Sequence, residues 1–326
     1  MKYSYHVYNL EPKKQQIDDN WTDLAWQNLL YDIDDKKCIP FIGPGASAKW
    51  IQLDEIAKDW AVKGQYPYPQ EDSLQLPQVA QFLAIQEGDE SIPKKMLSRL
   101  LRVKPPNFSL PEHENTVYSV LADLHLPIYI TTNYDHLMED ALRSKGKAPV
   151  SDYCVWKEPK EKSTESYISD THFDKDVSQN ERPSSAKPLV FHLLGDIDNP
   201  TSMVLTQRDY INFAIYLSKM GDRYTLPHSI RQTLSNSTLL FVGYRLEDLS
   251  FLIVFEGFIK MMSSLESKSI AVQVQMSPKI DPEKQKDIRN YLDKFTDSCF
   301  KIRIYWDDQH EFLEQLRSRA LKVSNK

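Results

Sequence analysis

Cysteine is scarce in this chain: Cys38, Cys154 and Cys299 are the only three among 326 residues, and each lies over a hundred positions from the next. That spacing excludes a CxxC zinc ribbon and a disulfide framework. Long apolar runs are missing too, none reaching the ~18 residues that a membrane-crossing helix needs. Met1 to Leu10 has neither the basic nor the apolar segment of a secretion signal, so the expected compartment is the cytoplasm. Positive charge is in deficit, and a net charge of -6 argues against a nucleic acid held through its phosphates. No internal repeat is visible. What remains is an ordinary globular composition, 41% hydrophobic, able to bury one large core or two modest ones.

The chain is organised around Lys37 to Ala48, KCIPFIGPGASA. A short apolar run, Cys38 to Ile42, breaks into two glycines one residue apart, which reads as a strand delivering a tight turn. Gly43 and Gly45 carry no Cβ, so backbone N–H groups there can come close to an anion. With Ala48 as the third small residue the stretch fits G-x-G-x-x-G/A, the dinucleotide turn; a plain tight turn is the other reading. No strand ending in an acidic residue follows at the distance used to grip a ribose, which excludes an ordinary dehydrogenase start.

Apolar spacing predicts a helix over Trp21 to Asp35 ahead of that strand, with residues 1–20 as a polar arm. Helices follow around Ile51 to Ala61, over Leu76 to Gln86 and over Ser91 to Val103, the last two with a proline in the first turn and Ser91 placed as an N-cap. They make a helical insertion at about 50–115. A helix from Glu112 to Leu124, a strand at Pro127 to Thr132 and a helix running from Leu137 to a stop at Gly146 come next. The polar stretch at about 156–188 reads as a surface loop. Beyond it strands are expected at Leu189 to Leu194, Met203 to Leu205, Leu239 to Val242, Ile270 to Val274 and Phe300 to Tyr305. Helices are expected from Thr206, over Leu226 to Leu234, from Glu247 to about Met262, over Pro282 to Phe295 and over Phe312 to Leu321. This alternation predicts an α/β fold, a Rossmann-like parallel sheet with helices on both faces, in one domain over 21–326.

Ligands of open parallel sheets sit beyond the carboxyl ends of the strands. Four stretches place small or polar residues there: Gly43 to Ser47, Thr131 to Asp135, His192 to Asp196 and Gly243 to Asp248. Each also has a plainer reading. Asn133 and Asp135 suit a helix N-cap, His192 suits a hydrogen-bonded core histidine, and Gly243 suits a strand-to-helix turn. Asp196 and Asp198 have the look of metal ligands, but DIDNP is turn-rich and suits a solvated loop. The other histidines have no convincing partner, and Tyr210 fits the core face of its helix although Arg208 and Tyr210 are within reach of a ligand.

Together FIGPGAS, TTNYD, the run from His192 to Gly195, FVGYRLEDLSF and IRIYWDD resemble the bacterial branch of the sirtuin (silent information regulator type two) family. This branch comprises the sirtuin-like domains of anti-phage defence proteins, and the resemblance covers roughly Trp21 to Leu321. There are two departures. Pro44 stands where an alanine is usual, and two leucines separate His192 from Gly195 where the family has a histidine and glycine adjacent. The resemblance implies that Gly43, Gly45, Ala46 and Ser47 cradle the diphosphate of NAD+, with Thr132 also contacting the dinucleotide. It places Asn133 and Asp135 at the nicotinamide ribose, His192 as general base, and Gly243 and Tyr244 beside the adenosine half. Deacylases of the family use a four-cysteine zinc ribbon that this chain cannot build, so water is the expected acceptor and no metal is expected. The implied activity is NAD+ glycohydrolysis to nicotinamide and ADP-ribose, as an effector of bacterial anti-phage defence. Homo-oligomerisation or a partner such as a HerA-like ATPase or another infection sensor would control it. A non-catalytic module that binds NAD+ or ADP-ribose and an ADP-ribosyltransferase are the alternatives.

Overall fold

The computed structural model describes residues 21–68, 74–102, 106–156, 182–219, 233–234, 236–244, 253, 270–274, 281, 284, 286–290, 302–306 and 309–324. The expected arm, the helix at 247–262, nearly all of that at 226–234, most of that at 282–295 and most of the polar loop lie outside these residues.

Seven parallel strands form one sheet: β1 (Cys38–Ile42), β2 (Ile128–Thr131), β3 (Val150–Tyr153), β4 (Leu189–His192), β5 (Thr238–Tyr244), β6 (Ile270–Val274) and β7 (Ile302–Tyr305). Their order is β3-β4-β2-β1-β5-β6-β7. The helices are α1 (Asp23–Asp34), α2 (Leu53–Lys63), α3 (Leu76–Gln86), α4 (Ser91–Leu101), α5 (Val117–Asp123), α6 (Leu137–Ser144), α7 (Gln207–Lys219) and α8 (Gln309–Ser324). They pack as two groups, α1, α5, α6 and α8 in one and α2, α3, α4 and α7 in the other. Right-handed crossovers put helices on opposite faces when the chain steps in opposite directions along the sheet, and β1 is where this chain reverses. The expected Rossmann-like α/β sheet is therefore present, with a switch point between β1 and β5. Among the described residues no helix is long and apolar enough to cross a membrane.

The central strands are buried on both faces, which is why β1, β2 and β5 are apolar nearly throughout instead of alternating. Pro40 sits inside central β1, where a proline is costly because it has no N–H for a ladder. The register accommodates it: the β1–β2 ladder begins only at Phe41, one residue beyond.

Several boundaries differ from expectation. Thr116 caps α5 by accepting the N–H of Ser119, so this helix starts at Val117 and a separate 3-10 turn covers Pro111–His113. Ser91 is the first residue of α4 and not its cap; the Asp89 carboxylate accepts both the backbone N–H and the hydroxyl of Ser91. Residues 203–205 join no sheet: the carbonyls of Met203 and Val204 accept from Lys94 Nζ and Tyr134 Oη, two side chains, not from a strand. The edge strand β3, VSDY, carries too little apolar pattern to be seen in the sequence.

Candidate active site

The carboxyl ends of β1, β2, β4 and β5 meet at one edge of the sheet. After β1 the chain makes a single 3-10 turn, Pro44–Ala46. Ala46, Ser47 and Ala48 N–H groups donate to the carbonyls of Gly43, Pro44 and Gly45 at 3.1, 3.2 and 3.4 Å, and Gly43 N–H donates to Val242 at 2.8 Å. The turn thus spends much of its donor capacity on itself. What its glycines supply is close approach: a Cβ on Gly43 would lie 2.5 Å from the Gly243 carbonyl and 2.7 Å from the Tyr244 ring. A Cβ on Gly45 would lie 2.8 Å from the same carbonyl, and Gly243 itself has φ +80°. The two glycine turns interlock across the switch point. Tyr244 then reaches over β1, its hydroxyl 3.2 Å from Thr132 Oγ1.

Asn133 joins this frame from β2. Its Nδ2 donates to the Gly43 carbonyl and to Tyr118 Oη, both at 3.0 Å. Two acceptors on one nitrogen fix the amide's orientation and leave Oδ1 with no partner among the described residues. Asp135 is 6% exposed, and its Oδ1 accepts the Leu137 N–H at 3.1 Å at the start of α6. Burial pushes its carboxyl up to about 6.

His192, at the end of β4, is fully buried. Its Nδ1–H donates to the Asn133 carbonyl at 3.0 Å, and its Nε2–H donates to Glu139 Oε1 at 2.8 Å. Both acceptors require a proton, so the ring is an imidazolium. Burial would lower its pKa, but the Glu139 charge and hydrogen bond outweigh that and raise it to about 9. Burial would likewise raise the Glu139 carboxyl, and the His192 charge turns this into a net lowering. Glu139 also accepts from Ser151 Oγ at 2.6 Å. Hence His192 lies against the backbone of Asn133, but it is enclosed and offers no lone pair.

A second histidine stands beside it. His136, three residues after Asn133, has its ring 5.5 Å from that of His192 and its side chain 24% exposed. Its Nε2–H donates to Asp196 Oδ2 at 2.9 Å, while Nδ1 lies 3.9 Å from Asp198 Oδ2, beyond hydrogen-bonding distance. Burial would lower its pKa, yet the hydrogen bond it donates to Asp196 brings a net rise. Asp196 is 5% exposed, not solvated as DIDNP suggested; only Asp198 has an exposed side chain.

Ligand atoms of His136, Glu139 and His192 lie within 4.8 Å of one another, as do those of His136, Asp196 and Asp198; with both His192 nitrogens protonated the first trio lacks the lone pairs a divalent cation needs, and in the second His136 Nε2 is committed to Asp196. Arg208 pairs with Glu90 on the surface and Tyr210 is buried, so neither belongs to this group. Sequence reasoning missed Tyr118, His136 and Glu139. The available signal was the spacing of His136 and Glu139, which puts both on one side of the first turn of α6.

Loops of a parallel sheet that close around a switch point define the nucleotide-binding α/β class. The chain belongs to the SIR2-like domain family, whose model matches residues 127–296, more than half of it. It is similar to the NAD(+) hydrolase ThsA of Enterococcus faecium, 28% identical over 132 residues, 40% of this chain and 22% of that protein. The NAD(+) hydrolase ThsA of Acinetobacter baumannii (strain 532279) is 22% identical over 224 residues, 68% of this chain and 39% of that protein. The one from Bacillus cereus (strain MSX-D12) is 28% identical over 131 residues, 40% of this chain and 22% of that protein. The chain therefore spans from about a fifth to two fifths of the length of these relatives.

Proposed function

We propose that the protein is an NAD+ glycohydrolase that cleaves the bond between nicotinamide and ribose to release nicotinamide and ADP-ribose. The observation that carries this is Asn133: both amide hydrogens are bound into the glycine turn and Tyr118, and the acceptor Oδ1 is left for a ribose hydroxyl or a water. Nicotinamide in NAD+ is cationic and leaves neutral, so the reaction needs positioning and charge stabilisation more than a strong acid. In this reading Gly43, Gly45, Ala46 and Ser47 lie along the diphosphate and Thr132, Gly243 and Tyr244 hold the adenosine side. Asn133 and Asp135 lie at the nicotinamide ribose. His192, as a buried imidazolium, sets the backbone of Asn133 in place. The names of the related hydrolases support NAD+ as substrate, and the resemblance of FIGPGAS and TTNYD to the defence branch of the family is the ground for a role in anti-phage defence by NAD+ depletion. Such an activity must be held silent in its own cell, by self-association or by an infection-sensing partner such as a HerA-like ATPase. Purified chain that depletes NAD+ equally fast per molecule at every concentration and without any partner contradicts this control.

One observation favours a second reading, a non-catalytic module that binds NAD+ or ADP-ribose. The residue before Gly195 is Leu194, buried and apolar, where the family has a histidine. Incubation with NAD+ and chromatography for free nicotinamide separates the two. Label from adenine-labelled NAD+ that stays on polypeptide points instead to ADP-ribosyl transfer.

A further inference from the structure

Resting on the hydrolase reading above, we propose that His136, oriented by Asp196, is the proton acceptor of this site, in the role the family resemblance gives to His192. The reaction leaves one proton to place. Water oxygen bonds to C1′ of the ribose, and the C1′–N bond breaks with its electron pair passing into the nicotinamide ring. The surplus proton of the water must then go to a base.

Two histidine positions fail as that base. His192 has both nitrogens protonated and committed, to the Asn133 carbonyl at 3.0 Å and to Glu139 at 2.8 Å. Position 194, beside Gly195, is a leucine with nothing to accept a proton. His136 meets the requirement. Donation of Nε2–H to Asp196 puts the lone pair on Nδ1, which makes no hydrogen bond among the described residues, on a ring that is part exposed. Asp196 is itself held: its Oδ1 accepts the Asp198 N–H at 2.6 Å and its backbone N–H donates to Ser202 Oγ at 3.0 Å. A carboxylate fixed in this way selects the tautomer and stabilises the imidazolium formed when Nδ1 takes the proton. The other charged groups around His136 are Asp198, tied to Arg102 at 2.9 Å, and Glu139, Asp135 and His192, all buried. Helix α4 sets the height of this loop, because Ser98 Oγ and Arg102 both donate to the Ile197 carbonyl, at 2.7 and 3.3 Å.

The test is nicotinamide release by the full chain from about pH 5 to about pH 9, across the histidine range. The wild type should show an acid limb above the ordinary histidine value, because Asp196 holds the His136 pKa up. His136→Gln should lower kcat at least ~100-fold at unchanged KM and erase the limb, Asp196→Asn should move it to lower pH, and free imidazole should restore part of the rate of His136→Ala. An undiminished kcat or an unmoved limb in His136→Gln overturns the inference while leaving the hydrolase reading standing. A wild type that releases no nicotinamide at any concentration, alone or with candidate partners, overturns the hydrolase reading. In that event 15N-histidine spectra still decide the dyad. They should give His136 as the Nε2–H tautomer, with Nδ1 responding to added ADP-ribose and His192 silent. A protonated Nδ1 on the neutral ring, or no response to ADP-ribose, overturns the inference.

Discussion

Asn133 is informative because its donors are used up. Asn133→Asp keeps its shape but sets an oxygen against the Gly43 carbonyl and Tyr118 Oη, so the turn and the loop lose their tie. The expected outcome is a kcat lower by ~10²–10³-fold, measured by nicotinamide release. The neighbouring ion pair makes a different prediction. Glu139→Gln takes away the nearer carboxylate of the buried His192 imidazolium and leaves only Asp196 Oδ2 at 3.8 Å, and denaturant unfolding should show a loss of about 3 kcal/mol, the lower end of the cost of breaking a buried pair. The pH dependence follows from the directions of the shifts. His192, raised from 6.5 to about 9, contributes stability that is full below 6.5 and lost as pH rises through about 9. Glu139, lowered from 4.5, contributes stability present above 4.5 and lost as pH falls through its lowered value. Asp135, raised from 3.8 to about 6, favours the folded form at the acid end of that window and disfavours it above. Urea midpoints against pH should therefore be highest in mildly acid buffer and fall toward pH 9, with the alkaline fall lost in Glu139→Gln. These residues were only half legible in the sequence. Polar types at strand ends point to a site, but burial and tautomer depend on what packs above them, and neither His136 on Asp196 nor His192 on Glu139 shows in spacing.

At the scale of elements, the site is held by two joints. The first is the interlock of the turns after β1 and β5. Gly43→Ala would drive a Cβ into the Gly243 carbonyl at 2.5 Å, and the backbone there has no flexible end to yield. A stability loss of about 1–3 kcal/mol is expected from thermal unfolding, together with weaker NAD+ binding by calorimetry. The second joint is α4 on the loop after β4. Lys94, 2% exposed, donates to the Met203 carbonyl at 2.6 Å and pairs with Asp209 of α7 at 2.7 Å. Lys94→Ala removes the ammonium from the buried Asp209 carboxylate, which keeps the backbone N–H groups of Leu205 and Thr206, and a loss of about 3 kcal/mol by urea unfolding is the expected result. Most elements were readable from the sequence, because β-branched and aromatic strands such as IYIT and prolines in helix first turns carry their own local signal. The residues at 203–205 were misread as a strand for the opposite reason: an extended apolar run looks alike whether a neighbouring strand or a buried lysine satisfies it. The edge strand β3 is defined only by its partner β4.

Among the described residues one core closes around the sheet, and α1 and α8 are clamped together by aromatic rings. Trp26 of α1 stacks on Phe312 of α8 at 5.4 Å, with Trp21 and Tyr305 edge-on around them. This leaves the carboxyl edge of the sheet as the place where the loops can work. The account stands or falls on what those loops do to NAD+. The direct measurement is a time course of nicotinamide and ADP-ribose after addition of NAD+ to the intact chain, alone and with candidate partners, beside Asn133→Asp. Both products should appear in equal amounts, and Asn133→Asp should remove them. NAD+ that is bound yet stays whole in every mixture would contradict it.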